Sequence, residues 1–385
     1  MQIKPIQQLF LFLFLLLLNG CIVQFIPETS EDQNLLVVEG LITDQPGPNT
    51  IKLSKSLPLG GISSAKPLDG CNVTISDDLG NSYNLNEKVP GTYLTNPSDF
   101  QGVVGRSYTL HIKTNTSDNN LSYQSFPMQM KPVPPIDSIY YEKSILQEKY
   151  PNSTEISVCQ IYLDTHDPEN NCKFYRWEYI ETWEFRLPYM VPNFRCWISG
   201  NSDKINIKST SSFAEARING YPLNYISNTT DRLKEKYSIL VNQYSLNEDE
   251  YTYWEKLQNI TEQVGGLYDI TPASIPSNIW CVENSNEKVL GYFSVSASTS
   301  KRIFIKDRFL GIVDLYNDCI ADTIMGGAPI PNLGTYVWVI IDHPIPPPSY
   351  RVITRTKGCY DCTVRGTNVE PIFWRDDKKL SSKGY

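Results

Sequence analysis

The segment Tyr108-Thr-Leu-His-Ile-Lys-Thr114 alternates apolar and polar residues. Successive side chains of a strand point to opposite faces of a sheet, so Tyr108, Leu110 and Ile112 share one face. This period is typical of an antiparallel strand with one buried and one solvated face. The same reasoning predicts neighbouring strands at Leu36–Thr43, Thr50–Ser56 and Val73–Ser76.

These strands place residues 35–131 in one small domain, with a turn at Asp77-Asp-Leu-Gly-Asn81. The arrangement resembles the immunoglobulin-like and transthyretin-like β-sandwiches of exported proteins, which implies an architecture and no activity. Composition also favours a mainly β fold, because the chain has 24 Tyr, 14 Phe and 7 Trp together with 26 Pro and 22 Gly. Aromatic residues favour strands, and Pro and Gly interrupt them.

A proline-rich linker follows at residues 132–136, Pro-Val-Pro-Pro-Ile. Three prolines in four residues cannot pair in a central strand, so we expect a domain boundary here. Residues 137–385 are predicted to form a larger β-rich C-terminal domain. Its first strands are expected at Ile156–Leu163 and in the aromatic run Phe174–Arg186.

One helical insertion is predicted near residues 245–264. Ser245-Leu-Asn-Glu248 has the spacing of a capping box, in which two side chains bind free backbone amides at a helix start. Tyr253, Trp254, Leu257 and Val264 form an apolar stripe at helical spacing, and Gly265-Gly266 supplies a stop.

The first 20 residues are predicted to be a cleavable signal peptide. Lys4 precedes an apolar core at Leu9–Leu18, which is too short to span a bilayer because a spanning helix needs about 20 residues. Gly20 lies directly before Cys21, as lipoprotein processing requires. We therefore expect lipidation at Cys21, a tether at residues 21–34, and a lipid-anchored protein of the outer membrane, on its periplasmic or extracellular face.

The charge balance limits the partners of this chain. Its formal net charge is -8, and loss of Lys4 with the signal would make it -9. An acidic balance gives no support to nucleic-acid binding or to a basic membrane-binding surface. Membrane attachment is therefore assigned to the acyl chains on Cys21.

Eight cysteines remain after Cys21. Cys359-Tyr-Asp-Cys362 is the sharpest pattern among them, and three interpretations stay open. Structural disulfides suit an exported chain, a metal site would need further ligands such as Cys319, and redox chemistry would use the Cys-x-x-Cys pair itself.

Two other groups of residues are candidate binding sites. Asp164, Asp167 and Glu169 could supply oxygen ligands to calcium, although a solvated turn explains the same residues. Aromatic side chains could line a ligand groove, or pack half-buried on a strand: Tyr175, Trp177, Tyr179 and Trp183.

Common enzyme signatures are missing from the sequence: the phosphate-binding Walker loop, the Gly-x-Ser-x-Gly elbow, the His-Glu-x-x-His helix and the glycine-rich dinucleotide turn. We therefore expect a non-enzymatic protein with no cofactor. Two alternatives are an exported enzyme that uses a cysteine or carboxylate site, and a structural or adhesive surface protein.

Several motifs in this order resemble the lipoprotein family catalogued as domain of unknown function 4249. They are Leu36-Val-Val-Glu-Gly-Leu-Ile-Thr-Asp44, Tyr237-Ser-Ile-Leu-Val-Asn-Gln-Tyr-Ser245, Gly291-Tyr-Phe-Ser-Val-Ser296, and Cys359-Tyr-Asp-Cys362 with Pro371-Ile-Phe-Trp374. The resemblance implies an outer-membrane lipoprotein commonly encoded near TonB-dependent receptors. It implies an accessory role in nutrient binding or uptake and no established reaction.

Overall fold

The computed structural model describes residues 35–375, apart from 57–65, 116–119, 147–155, 263–274, 317–318, 320, 326–337, 344–349 and 355. The predicted signal peptide, Cys21 and the tether lie outside the described residues, as do Val264 and Gly265-Gly266. Where the chain is described, no helix is both long and apolar enough to cross a membrane.

Strands dominate the structure, which confirms the mainly β prediction. The first ten strands are β1 Leu36–Ile42, β2 Thr50–Lys55, β3 Lys66–Pro67, β4 Asn72–Asp77, β5 Ser82–Asn84, β6 Asn86–Val89, β7 Thr92–Leu94, β8 Ser107–Lys113, β9 Ser122–Ser125 and β10 Met128–Gln129. The next seven are β11 Ile136–Leu146, β12 Ile156–Asp167, β13 Phe174–Arg186, β14 Arg195–Asn201, β15 Asn206–Ser209, β16 Ala216–Ile226 and β17 Tyr237–Ser245.

Helix α1 spans Glu248–Glu262 and is followed by the remaining strands. These are β18 Ile279–Cys281, β19 Val289–Val295, β20 Ser298–Ile305, β21 Ala321–Met325, β22 Trp338–His343 and β23 Tyr350–Thr354. Short 3-10 turns occur at Asp231–Leu233, Lys357–Cys359 and Cys362–Val364.

The N-terminal part folds as a sandwich of two sheets. One has the order β19-β1-β2-β7-β6 with β3 beside β2, and the other has the order β18-β9-β8-β4-β5 with β10 beside β8. Tyr108, Leu110 and Ile112 are buried on one face of β8, as the alternation predicts. Burial of these alternating side chains between the sheets gives the sandwich its core.

Two strands of this sandwich come from far along the chain. β19 pairs in parallel with β1, and β18 pairs with β9 at an edge of the second sheet. The predicted division into 35–131 and 137–385 does not include this return of residues 279–295. The paired residues are about 250 apart in the first case and about 155 apart in the second. Such distant pairing leaves no local pattern in the sequence, so only the fold reveals it.

A second sandwich follows the linker. Its sheets have the orders β11-β12-β16 and β14-β13-β17-β20, with β15 beside β13, and they share one hydrophobic core. A small sheet β21-β23-β22 comes later in the chain. The linker is fixed between the sandwiches, because Gln243 Nε2 donates to Pro134 O at 2.8 Å.

The predicted helix is present, but its capping box is not. Ser245 ends strand β17, three residues before the helix begins, and its hydroxyl donates to Lys131 O at 2.6 Å. Helix α1 begins at Glu248 instead. Of the predicted stripe, Tyr253 packs against the N-terminal core and Trp254 against residues of β15 and β17. The helix therefore lies where the two sandwiches meet.

Candidate functional site

The aromatic run of β13 is part of the core and does not form an open groove. Tyr175 and Trp177 are fully buried, Tyr179 is 5% exposed, and Trp183 packs partly buried against the same core. These residues pack in the core of the second sandwich, because they face the β11-β12-β16 sheet. The groove prediction is wrong for this structure.

The three candidate calcium ligands bind groups of their own chain. Asp167 Oδ2 accepts hydrogen bonds from the amides of Asn171 and Cys172, both at 2.7 Å, and Glu169 Oε2 accepts one from Asn171 Nδ2 at 2.9 Å. Asp164 accepts hydrogen bonds from the Ser138 hydroxyl and the Gly220 amide. Turn formation therefore accounts for Asp167 and Glu169, and contacts with the neighbouring strands β11 and β16 account for Asp164. Nowhere in the described chain do three or more metal-binding side chains gather.

The three candidate cysteines are disulfide-bonded, but the two of Cys359-Tyr-Asp-Cys362 bond to different partners. Cys362 bonds to Cys196 on β14, and Cys359 bonds to Cys319. The structural disulfide interpretation of this motif is thus confirmed. The bridge to Cys196 joins the tail to the second sandwich, where Trp374 is fully buried and donates to Glu184 Oε2.

A cleft of about 320 Å³ lies between the two sandwiches. Its floor is the backbone of β1 from Val38 to Leu41, together with Gly291 of β19. Gly291 has a positive φ of 87°, and a side chain there would begin only 2.0 Å from Val38 O. Only glycine permits this close approach of β19 to β1, so the parallel pairing and the cleft floor depend on it.

Arg176 of β13 forms one wall of the cleft. The side chain of this residue is 7% exposed, and its guanidinium carbon lies 4.2 Å from the ring centre of Trp254 and 5.2 Å from that of Tyr244. Its Nη2 donates to Glu178 Oε1 at 2.9 Å, while Tyr244 OH donates to Glu178 Oε2. A guanidinium between two aromatic rings is held in place by cation–π attraction. Its Nε nevertheless has no hydrogen-bond partner.

Glu250 lies fully buried behind this wall, in the first turn of α1. Its Oε1 accepts a hydrogen bond from Trp254 Nε1 at 3.4 Å, whereas its Oε2 has no hydrogen bond of normal geometry. Burial raises the pKa of Glu250 to about 7, although the Ser294 hydroxyl, the Arg176 charge and Trp254 act in the opposite direction. Ser294, Trp254 and Arg176 all line the cleft.

Sequence reasoning missed this cleft for a physical reason. Arg176 and Glu178 alternate with the buried aromatic residues of β13, which indicates that they lie on the opposite face of the strand. That pattern is ordinarily interpreted as a solvated face. Here the opposite side is covered by α1 and the first sandwich, a contact that depends on the return of β19.

The fold and the cleft define a class of protein with two β-sandwiches and a cleft at their junction that is large enough for a small molecule. The chain belongs to the DUF4249 family, a domain of unknown function, whose family model matches residues 23–302. The resemblance in the sequence is thereby confirmed, and the disulfide-bonded tail from Cys319 onward lies beyond the matched residues. No curated protein matches the chain.

Proposed function

We propose that this protein is a non-enzymatic, lipid-anchored outer-membrane protein that assists a TonB-dependent receptor in nutrient capture. In this proposal the cleft between the sandwiches holds the nutrient. The observation that carries the proposal is a cleft at the junction of the two sandwiches that is lined by aromatic rings and by a few charged and hydroxyl side chains. Small-ligand sites are typically concave and mostly apolar, with a few polar groups that fix the orientation of the ligand.

Anchoring and partner are supported by the sequence. Gly20 and Cys21 follow an apolar core of signal-peptide length, and the family resemblance implies lipoproteins encoded near TonB-dependent receptors. A cleft at a junction between domains is a common place for a small ligand. The lipid would hold that cleft close to a receptor in the same membrane.

The proposal is tested by purifying the native lipoprotein from detergent-solubilised outer membranes and identifying what co-purifies by mass spectrometry. We expect a TonB-dependent receptor to co-purify, and Cys21→Ser to release the protein from the membrane fraction. Cys71→Ser is the matched control, because Cys71 is a thiol outside both disulfides. Recovery of the lipoprotein alone, or membrane retention of the Cys21→Ser variant, would overturn the proposal.

A further inference from the structure

We infer that the cleft binds a neutral polyhydroxylated ligand, a sugar unit, which stacks on Tyr253 and Trp254 and hydrogen-bonds to Arg176 and Glu178. This inference rests on the proposed binding function and names the ligand class of that same cleft. Four observations carry it: the charge balance of the lining, the occupied face of Trp254, the donor and acceptor side chains of the wall, and a second cleft beside the first.

The positive and negative charges of the side chains that line the cleft are equal in number. Lys52 and Arg176 carry positive charges, and Glu39 and Glu178 carry negative ones. Lys52 Nζ lies 4.0 Å from Glu39 Oε2, and Arg176 Nη2 lies 2.9 Å from Glu178 Oε1. An anion such as a phosphate would meet two carboxylates, so the lining favours a ligand without net charge.

A cationic ligand is disfavoured by the position of Arg176. Aromatic rings beside carboxylates commonly receive an ammonium group, but here the guanidinium of Arg176 already lies 4.2 Å from the Trp254 ring centre. The cation–π position on this ring is therefore occupied by the protein itself. The exposed part of the partly buried Tyr253 and Trp254 offers an apolar surface of the kind that the C–H face of a sugar ring covers.

The donors and acceptors of the cleft wall favour hydroxyl groups. The guanidinium of Arg176 is a donor group, while the half-exposed Glu178 presents carboxylate oxygens that accept. A hydroxyl both donates and accepts, so neighbouring hydroxyls on one ring can serve a guanidinium and a carboxylate together. Thr50 and Ser294 add hydroxyls of the protein to the same lining.

A second cleft, of about 340 Å³, shares Tyr253 and Tyr292 with the first. The two rings contact each other, with centres 4.6 Å apart. The far side of this cleft includes Asn278 and Lys256, which are polar, and Phe126, which is 57% exposed. Space on both sides of one aromatic pair suits a ligand of more than one ring, so we expect disaccharides to bind more tightly than monosaccharides.

The experiment measures binding to the full-length lipoprotein in a detergent without sugar groups, by calorimetry and saturation-transfer NMR. The probes are maltose, cellobiose and chitobiose, with glucose, glucose 6-phosphate and a neutral dipeptide as comparisons. We expect at least one disaccharide to bind. Trp254→Ala should weaken it at least about thirtyfold, as truncation of a central aromatic contact does.

Glu178→Gln is the second variant, because Trp254 also packs against Arg176 and its loss could disturb folding. It keeps the shape of the side chain and should weaken binding about tenfold through loss of a charged acceptor. Tyr225→Ala is the control, since Tyr225 is an exposed aromatic residue of β16 that does not line the cleft. We expect it to bind sugar as the unaltered protein does.

Three results would overturn the inference. Binding of the phosphate or the dipeptide in place of the neutral sugars would give the cleft another ligand class and leave the proposed function standing. Sugar binding that Trp254→Ala and Glu178→Gln leave unchanged would place the site elsewhere. Binding of no probe, with a receptor still co-purifying, would refute the ligand class and keep the receptor role.

Discussion

Aromatic side chains gather at two places around β13, and the two places differ in how their polar atoms are paired. In the core, Trp177 Nε1 donates to Gln243 Oε1 at 2.8 Å and Tyr175 OH donates to Cys172 O at 3.0 Å. At the cleft wall Arg176 Nε has no partner, and behind the wall Glu250 Oε2 has no hydrogen bond of normal geometry. The same strand thus supports a core face whose Trp177 and Tyr175 polar atoms are paired, with Trp183 Nε1 as the exception, and a cleft face on which the buried Arg176 Nε is unpaired.

This difference separates residues that stabilise the fold from residues left for a ligand. Completely paired polar groups specify one core arrangement, whereas an unpaired buried group costs about 1–3 kcal/mol that a ligand can recover. The core aromatics should therefore dominate stability. Residues at the cleft should affect stability less. Replacement of Glu250, which is buried behind the cleft wall, should increase stability.

The largest expected effect is on the core side of the comparison. Trp177→Ala should lower the free energy of unfolding by about 3–5 kcal/mol, because it leaves a large cavity among buried rings. Trp254→Ala should cost less, since Trp254 is only partly buried and lines the cleft. Urea unfolding under non-reducing conditions measures both. Equal losses for the two variants would contradict the distinction between core and cleft.

Glu250 should make the stability of the protein depend on pH. Its pKa is raised from 4.5 to about 7 in the folded chain, so the folded chain keeps a proton that the unfolded chain releases in this window. The free energy of unfolding should therefore fall as pH rises from 4.5 to 7, by about 3 kcal/mol, and then level off.

Urea unfolding at pH 4.5, 6 and 8 measures this dependence. Glu250→Gln should remove the decline and be more stable than the unaltered protein at pH 8. Glu255→Gln is the matched control, because Glu255 is exposed on the same helix. A slope that persists in the Glu250→Gln variant would show that another group holds the proton.

Gln243 tests whether complete pairing stabilises the core. It is fully buried, accepts from Trp177 Nε1, and donates to Pro134 O and Thr165 Oγ1. Gln243→Leu should cost about 2 kcal/mol, because it leaves the indole donor and the linker carbonyl unpaired. In a Trp177→Phe background the same change should cost less, since Phe lacks the donor. Equal costs in the two backgrounds would deny the coupling.

The sequence predicts the elements of this fold better than their partners. The alternation of Tyr108, Leu110 and Ile112 marks a strand with one buried face, and the structure has that strand. The capping box predicted at Ser245 is absent, because strand β17 extends through Ser245 and the helix begins only at Glu248. The partner of β1 could not be predicted, since parallel pairing with β19 depends on a distant return of the chain.

The candidate site was hidden by the same long-range contacts. The aromatic residues of β13 led to a predicted ligand groove on the face that the structure buries. Arg176 and Glu178 on the other face have the pattern of an ordinary solvated surface. Glu250 resembled a first-turn acid of a helix, which is favoured there by the helix dipole. Arg176 and Glu250 are buried by segments that are distant in the sequence, and such burial leaves no local pattern, whereas Glu178 stays half-exposed beside them.

The smallest expected effect is at the rim of the cleft. Lys52 and Glu39 form an ion pair at 4.0 Å, with side chains 63% and 68% exposed, so solvent screens their attraction. Lys52→Ala should change the free energy of unfolding by less than about 0.5 kcal/mol. Arg176→Lys is the informative contrast, because it removes the planar guanidinium from between Trp254 and Tyr244 and should cost about 1 kcal/mol or more. Urea unfolding of the two variants side by side measures the difference. Equal losses would mean that rim and wall charges contribute alike, and that burial of Arg176 is not what gives the cleft its fixed geometry.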